Sequence, residues 1–459
     1  MFLVMSAQAR TVKTRSDRAW DTAYLSGLGL VLLVAIGITV VARTGLRSKT
    51  LIWSDGKFYY IWARSVLLDG DIDFHNDYQL MFAPDTVPAE YSPTTPKGLL
   101  NNKYPIGLAI LETPGLLLGS VIARYIVHAP TDGVSPPYQY AVTWSLLLLY
   151  VASFILFYQA MLRLGVARIW AFGFGLTALV GTNLFHYVVR EPTMAHASGV
   201  ALFNILLFLT VRWDGHRTRI STLHGILLGA LVGFLYLVRN TNVLLVPVLA
   251  AVVMNERRVS LREVAPILSG ALVVAALQPI SLWFLWGQVR FTSYLNESFT
   301  AGLSGVVNAL VSARHGLFVY QPWYAVLLLL IIYGAIRAPR LRSVCITAIA
   351  SFLLMAVANG TWWCWWFSLS FGNRAFIETL PALSVVAALV VSRLNVGKKA
   401  TVALVAAMLA VVAVNLYLWV GYVLQAYPRE GNHTVAQAYL WSLSYNVRSL
   451  LQHTPRWAP

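Results

Sequence analysis

The sequence predicts an all-α polytopic membrane protein with about eleven transmembrane helices and interfacial helices in a large first outer loop. Three observations lead there. A mean hydropathy of +0.66 with only 11% charged residues does not describe a water-soluble globule of 459 residues. Apolar runs long enough to cross a hydrocarbon core recur along the whole chain, and helices satisfy their own backbone hydrogen bonds in lipid. Finally, seven of the 18 carboxylates crowd into one stretch, 54–107: Asp55, Asp69, Asp71, Asp73, Asp77, Asp85 and Glu90.

Taken in order, the apolar runs place spans at 22–43, 138–161, 168–186, 197–213, 222–238, 243–255, 264–285, 319–336, 343–358, 376–392 and 400–422. The run 105–127 is excluded because it carries Glu112 and Pro114 near its middle and Arg124 near its end. A charge at the bilayer centre is costly, so this segment reads as an interfacial helix. Basic residues agree with that choice. The loops on the N-terminal side then hold 18 Lys and Arg against 5 acids, and the opposite side 16 against 13. Short basic loops mark the cytoplasm, so the N-terminus is expected there and the acidic loop outside.

This gives a cytoplasmic segment 1–21, a membrane catalytic module 22–392 containing the outer loop 44–137, and a last helix with a short external tail in 393–459. The first helix is long and no small-residue cleavage site follows it, so it reads as an anchor rather than a removable signal. The net charge of +16 is dispersed in small clusters at helix ends, which topology explains better than nucleic acid. Cys345 and Cys364 provide neither a disulfide framework nor metal-ligand spacing.

Unusual polar residues collect on the outer side: the first loop, REPTMAH at 190–196, VRNTN at 238–242, the segment 287–318, and NGTWWCWWFSLSFGNRAF at 359–376. Asp55 leaves the first span beside Trp53, Phe58, Tyr59 and Tyr60, placed to take a proton from an attacking hydroxyl as a general base. Asp is also a favoured N-cap, which offers a purely structural use for it. The DGDID run at 69–73 resembles a metal cluster but is ordinary turn chemistry. Lys103 in NNKYPIG, next to Tyr104, is placed to hold a phosphate at headgroup level, or to snorkel. Arg239 and Arg374 at outer helix ends are candidates for phosphate or sugar hydroxyls, or for ion pairs with outer acids such as Glu378, one turn beyond Arg374. Glu191, flanked by Arg190, His186 and His196, is a second carboxylate that would orient an acceptor or share a metal with the histidines. The tryptophans of 362–366 read as an interfacial belt or as a stacking platform for a sugar or isoprenoid.

An acid opening the first outer loop, a second polar patch and a lysine-proline turn before an amphipathic helix resemble the GT-C superfamily of integral-membrane glycosyltransferases. WSDGKFYYIWARSVLLDGDIDF, NNKYPIGLAILETP, REPTMAH and SFGNRAFIETLP are similar to bacterial relatives of the protein O-mannosyltransferases and aminoarabinose transferases. The resemblance covers roughly 20–390. It implies a polyprenyl-phosphate sugar donor, outer-face catalysis by Asp55, Lys103 at the donor phosphate and Glu191 as the second acidic site. In the mannosyltransferase pattern another acid follows the first; here Gly56 stands there.

The expected activity is transfer of a sugar from a polyprenyl-phosphate donor to a hydroxyl of an envelope glycan, lipid or protein. Asp55 acts as base, and Lys103, Arg239, Arg374, Glu191, Tyr59, Tyr104 and His196 bind substrate. No metal is required by this logic, and Mg2+ or Mn2+ is compatible with it. The expected location is the plasma (inner) membrane with the site facing outward. Alternatives are a lipid-linked sugar flippase or transporter, and a glycan ligase using a diphosphate donor. Transporters tend to show repeated halves and ionisable groups at the midplane, and neither is evident here.

Overall fold

The computed structural model describes residues 14–45, 50–82, 93–214, 220–256, 259–295, 297–424, 435–436 and 439–440. Asp85 and Glu90 of the acidic loop lie outside the described residues, as do 1–13 and most of the tail beyond 424.

The chain is an all-α polytopic membrane protein. Its helices are α1 (Arg15–Gly45), α2 (Gly56–Arg64), α3 (His75–Met81), α4 (Gly107–Tyr125), α5 (Pro136–Arg163), α6 (Arg168–Val180), α7 (Leu184–Val189), α8 (Ala195–Asp214) and α9 (Thr222–Val238). They continue as α10 (Val246–Glu256), α11 (Leu261–Ala275), α12 (Leu277–Trp286), α13 (Gly302–Val311), α14 (Leu317–Tyr320), α15 (Trp323–Arg337), α16 (Arg342–Gly360), α17 (Thr379–Leu394) and α18 (Lys398–Val423). Among the described residues the only β pairing is one isolated bridge, Thr94 to Leu100.

Seven described helical stretches are long and apolar enough to cross a membrane. Six coincide with expected spans, and shorter apolar helices occupy the other five. The shortening has local causes. The run 168–186 breaks at Gly181 to Asn183, where Asn415 Nδ2 donates to the carbonyls of Val180 and Thr182 and Gln321 accepts from the Asn183 amide. The long stretch Leu261–Trp286 also carries a break, at Ala276, with Pro279 in the first turn of α12, without losing its length. Gln321 and Pro322 separate α14 from α15. At Gly181 to Asn183 the non-helical backbone is satisfied by protein side chains, as an apolar surrounding requires.

The seventh long apolar helix is α4, which the charge distribution of the sequence leads one to expect at the interface rather than across the membrane. Side-chain contacts run α1 antiparallel to α5: Tyr24 Oη donates to the Phe154 carbonyl at 3.1 Å, Trp144 Nε1 to Thr39 Oγ1 at 3.1 Å, and the Leu51 amide to Gln139 Oε1. The end of α1 and the start of α5 therefore lie at the same level. Helix α4 folds back along the first half of α5, where Gly119 meets the Tyr138 Cα and Gly115 the Val142 Cα. A tighter contact joins α9 to α11. Gly225, Gly229 and Gly233 recur every fourth residue, and a Cβ on Gly229 would stand 1.9 Å from the Ile267 carbonyl oxygen.

Candidate active site

Asp55 occupies the N-cap position of α2, but its backbone is helical and its side chain makes no capping bond. Instead Oδ2 accepts from Arg374 Nη2 at 2.7 Å. Ser54, at φ 47°, makes the left-handed turn that sends the chain into α2 in this direction. The structural use of Asp55 as a helix cap is thereby corrected. Gly56 has its own reason: a Cβ there would lie 2.5 Å from Thr193 Oγ1, so the REPTMAH loop leaves no room for a second acid.

Arg374 sits on a 3-10 turn, Arg374–Phe376, capped by Asn373 Oδ1 accepting from the Ala375 amide at 3.3 Å. Because α17 starts only at Thr379, Arg374 and Glu378 do not share an α-helical turn, and the ion pair offered as an alternative role for Arg374 is made with Asp55 instead of Glu378. Glu378 is 1% exposed and takes Arg239 instead, whose Nη1 lies 3.2 and 3.3 Å from its two oxygens. His196 Nδ1 stands 3.1 Å from both Glu378 Oε1 and Arg239 Nη1. His196 thus belongs to the Glu378 cluster, away from Glu191.

Glu191 follows α7, and its carboxylate lies 3.5 Å from His186 Nε2. Burial raises its carboxyl, but His186, Arg374 and Arg190 outweigh that and hold it below the ordinary value. Arg190 stacks on Trp53, two residues from Asp55, at 5.2 Å. Tyr150 Oη anchors the loop from α5, donating to the Pro192 carbonyl and meeting Ser198 Oγ at 2.8 Å.

Lys103 forms a half-buried ion pair with Glu297, whose other oxygen accepts from Trp363 Nε1 at 3.1 Å. Its ammonium lies 5.5 Å from the Tyr104 ring centre and 5.7 Å from that of Tyr294. Tyr59 packs on Tyr104 at 4.9 Å, and Tyr104 on Tyr294 at 6.3 Å. These tyrosines feel the charges of Asp55 and Arg374, so one aromatic wall connects the two ion pairs. Burial lifts the Tyr59 and Tyr104 phenols well above their usual range, leaving them neutral.

The fold therefore brings Asp55, Arg374, Tyr59 and Tyr104 together, with Glu191 and the Arg239, His196 and Glu378 cluster beside them. Glu297 and Tyr294 escaped the reading of the sequence, although Glu297 is the one acid in 287–318. The tryptophan run folds onto outer-loop residues: Trp363 onto Glu297, Trp362 onto Tyr294 at 5.5 Å, and Trp366 under the Arg314 guanidinium at 3.8 Å. DGDID is a turn. Asp69 pairs with Arg64, Asp71 accepts from Ser65 Oγ, and Asp73 pairs with His75. Among the described residues no group of three or more His, Cys, Asp or Glu side chains is arranged to hold a metal ion.

No known family profile matches the chain, and no curated protein matches it. Among solved structures it is similar to the Archaeoglobus fulgidus oligosaccharyltransferase in complex with zinc and sulfate, at 14% identity and a TM-score of 0.44, over 94% of this chain and 55% of that one. The apo form gives 13%, 0.43, 95% and 58%. The archaeal oligosaccharyltransferase AglB from the same organism, with an inhibitory peptide and a dolichol-phosphate, gives 13%, 0.41, 95% and 55%. The chain spans little more than half the length of these proteins.

Proposed function

We propose that this protein is a membrane glycosyltransferase that moves a sugar from a polyprenyl-phosphate donor to a hydroxyl of an envelope glycan, lipid or protein on the outer face. The observation that carries the reading is Asp55. It is released from capping and aimed at a guanidinium, in a cluster with Glu191, Arg239 and the tyrosine wall. The resemblance of the first loop, NNKYPIG and REPTMAH to GT-C enzymes supports the same assignment.

In this mechanism the donor phosphate lies near Lys103 and Arg374 or Arg239, which neutralise charge on the departing oxygen. Asp55 takes the proton of the acceptor hydroxyl, whose oxygen attacks the anomeric carbon. The bond from that carbon to the lipid phosphate oxygen breaks, polyprenyl phosphate leaves, and the anomeric configuration inverts. A phosphate arriving at Arg374 competes for the guanidinium that holds Asp55, so donor binding leaves the carboxylate to the acceptor. An apolar groove of about 500 Å3 between the first loop and α12, lined by Trp62, Ile106, Leu277 and Phe284, lies three residues along the chain from Lys103 and suits an isoprenoid tail. The scheme requires no metal, and Mg2+ or Mn2+ at the phosphate is compatible with it.

The test is mass spectrometry of envelope glycans and lipids with and without the gene, complemented by the wild type or by Asp55→Asn. A sugar that is lost on deletion and restored only by the wild type is expected. An unchanged profile on deletion would remove the assignment.

A further inference from the structure

The helix α18 reaches the candidate site through a hydrogen bond to His186. Trp419 Nε1 donates to His186 Nδ1 at 3.1 Å. An indole N–H only donates, so Nδ1 presents its lone pair and the neutral ring carries its proton on Nε2. That nitrogen faces Glu191 Oε1 at 3.5 Å. The His186 ring, 2% exposed, is wedged between Tyr187 at 4.9 Å, Tyr422 at 5.2 Å and Phe371 at 5.7 Å. The anchor is firm: Asn415 ties α18 to the carbonyls that end α6, and Tyr422 Oη donates to the Leu369 carbonyl.

We infer that Trp419 is a positioning residue that fixes the His186 tautomer, so that an Nε2–H, rather than a lone pair, meets Glu191. The inference rests on the transferase reading for its functional consequence. With Nε2–H presented, one Glu191 oxygen has a dedicated neutral donor and the other is left to accept from a hydroxyl of the sugar or of the acceptor. With the opposite tautomer a lone pair would face the carboxylate and push it aside. At 3.5 Å the Nε2–H faces the carboxylate at the outer limit of a hydrogen bond, with no other partner among the described residues. Arg190 and Arg374 also act on Glu191 through their charge. Glutamine at 186 presents the same pattern, a carbonyl to Trp419 and an N–H to Glu191.

The full-length protein, labelled with 15N-histidine in lipid nanodiscs, tests the tautomer directly at pH 8, with His186→Gln identifying the signals. The wild type is expected to show a protonated ε nitrogen and an unprotonated δ nitrogen, and Trp419→Phe a mixture of tautomers. In the transfer assay Trp419→Phe and His186→Leu are expected to lose on the order of tenfold or more in kcat with donor KM unchanged, while His186→Gln keeps most of the rate. A δ-protonated histidine in the wild type overturns the inference. So does full turnover in Trp419→Phe, or His186→Gln as defective as His186→Leu. If Trp419→Phe does not fold, the wild-type spectrum and the His186 pair still decide. Activity retained by Asp55→Asn would count against the transferase mechanism, leaving the tautomer result intact.

Discussion

The Asp55 carboxylate and the Arg374 guanidinium, 319 residues apart, meet at 2.7 Å where α2 begins. This one bond joins the first outer loop to the segment before α17 and gives the acid a partner other than its own helix. Asp55→Asn keeps size and an oxygen that can accept from Arg374 but removes the base. Transfer is expected to fall by at least about a hundredfold with normal expression and membrane insertion. Asp71→Asn, in a turn, is expected to remain within a fewfold of wild type. A reconstituted assay with near-normal turnover in Asp55→Asn would sink the base assignment.

Lys103 and Glu297 form a pair that a donor phosphate would have to enter. Lys103→Ala is expected to weaken donor binding by about tenfold or more, in line with the loss of a charge-assisted bond worth roughly 1.5–3 kcal/mol, while acceptor KM changes little. Glu297→Gln removes the carboxylate charge facing the ammonium and is expected to leave donor binding equal or tighter. Separate titrations of the two substrates check this, and an acceptor-only effect would reverse the assigned roles.

The antiparallel run of α1 and α5 brings the end of α1 and the start of α5 to one level, so the chain flanking α4 is expected on one side of the membrane. Thr94 and Thr131 are exposed on either side of it. Single cysteines at these positions, in a background with Cys345→Ala and Cys364→Ser, are expected to react equally with an impermeant thiol reagent on intact cells. Reaction at Thr94→Cys with a protected Thr131→Cys would make α4 a true crossing and carry Glu191 to the other side.

The α9 and α11 backbones meet at Gly229 with no space for a methyl group. Gly229→Ala is expected to destabilise the protein by about 1–3 kcal/mol through overpacking, and Gly229→Leu to prevent assembly of this pair. A thermal midpoint in detergent unchanged by the alanine would disprove the close contact.

Burial lifts the Asp77 carboxyl from 3.8 to about 6, against the opposing pull of Arg64. A folded-state value above the unfolded one means that the stability contributed by this group is full below about pH 4 and shrinks as pH rises through the folded value. The stability advantage of wild type over Asp77→Asn is therefore expected to decline between pH 4 and 6 and then level off. Thermal midpoints across that range check the sign, and a growing advantage would contradict it.

Hydropathy and helix signals are local, so the sequence by itself determined the all-α membrane class and located helices in all eleven expected spans. It also singled out Asp55, Lys103, Glu191, Arg239 and Arg374, because polar groups at the ends of apolar runs stand out from their neighbours. Breaks such as Gly181 and Pro279 were visible as residues, yet their effect depended on side chains such as Asn415 arriving to satisfy the opened backbone. Partnership was decided only in three dimensions. Arg374 takes Asp55 rather than Glu378, Arg239 reaches Glu378 across 139 residues, Lys103 finds Glu297 across 194, and Trp419 finds His186 across 233. Nearness along the chain favours Glu378 for Arg374, but a 3-10 turn ending before α17 breaks the helical spacing that such a pair needs. A buried charge settles with whichever opposite charge the packed helices bring within reach, and that choice belongs to the tertiary structure.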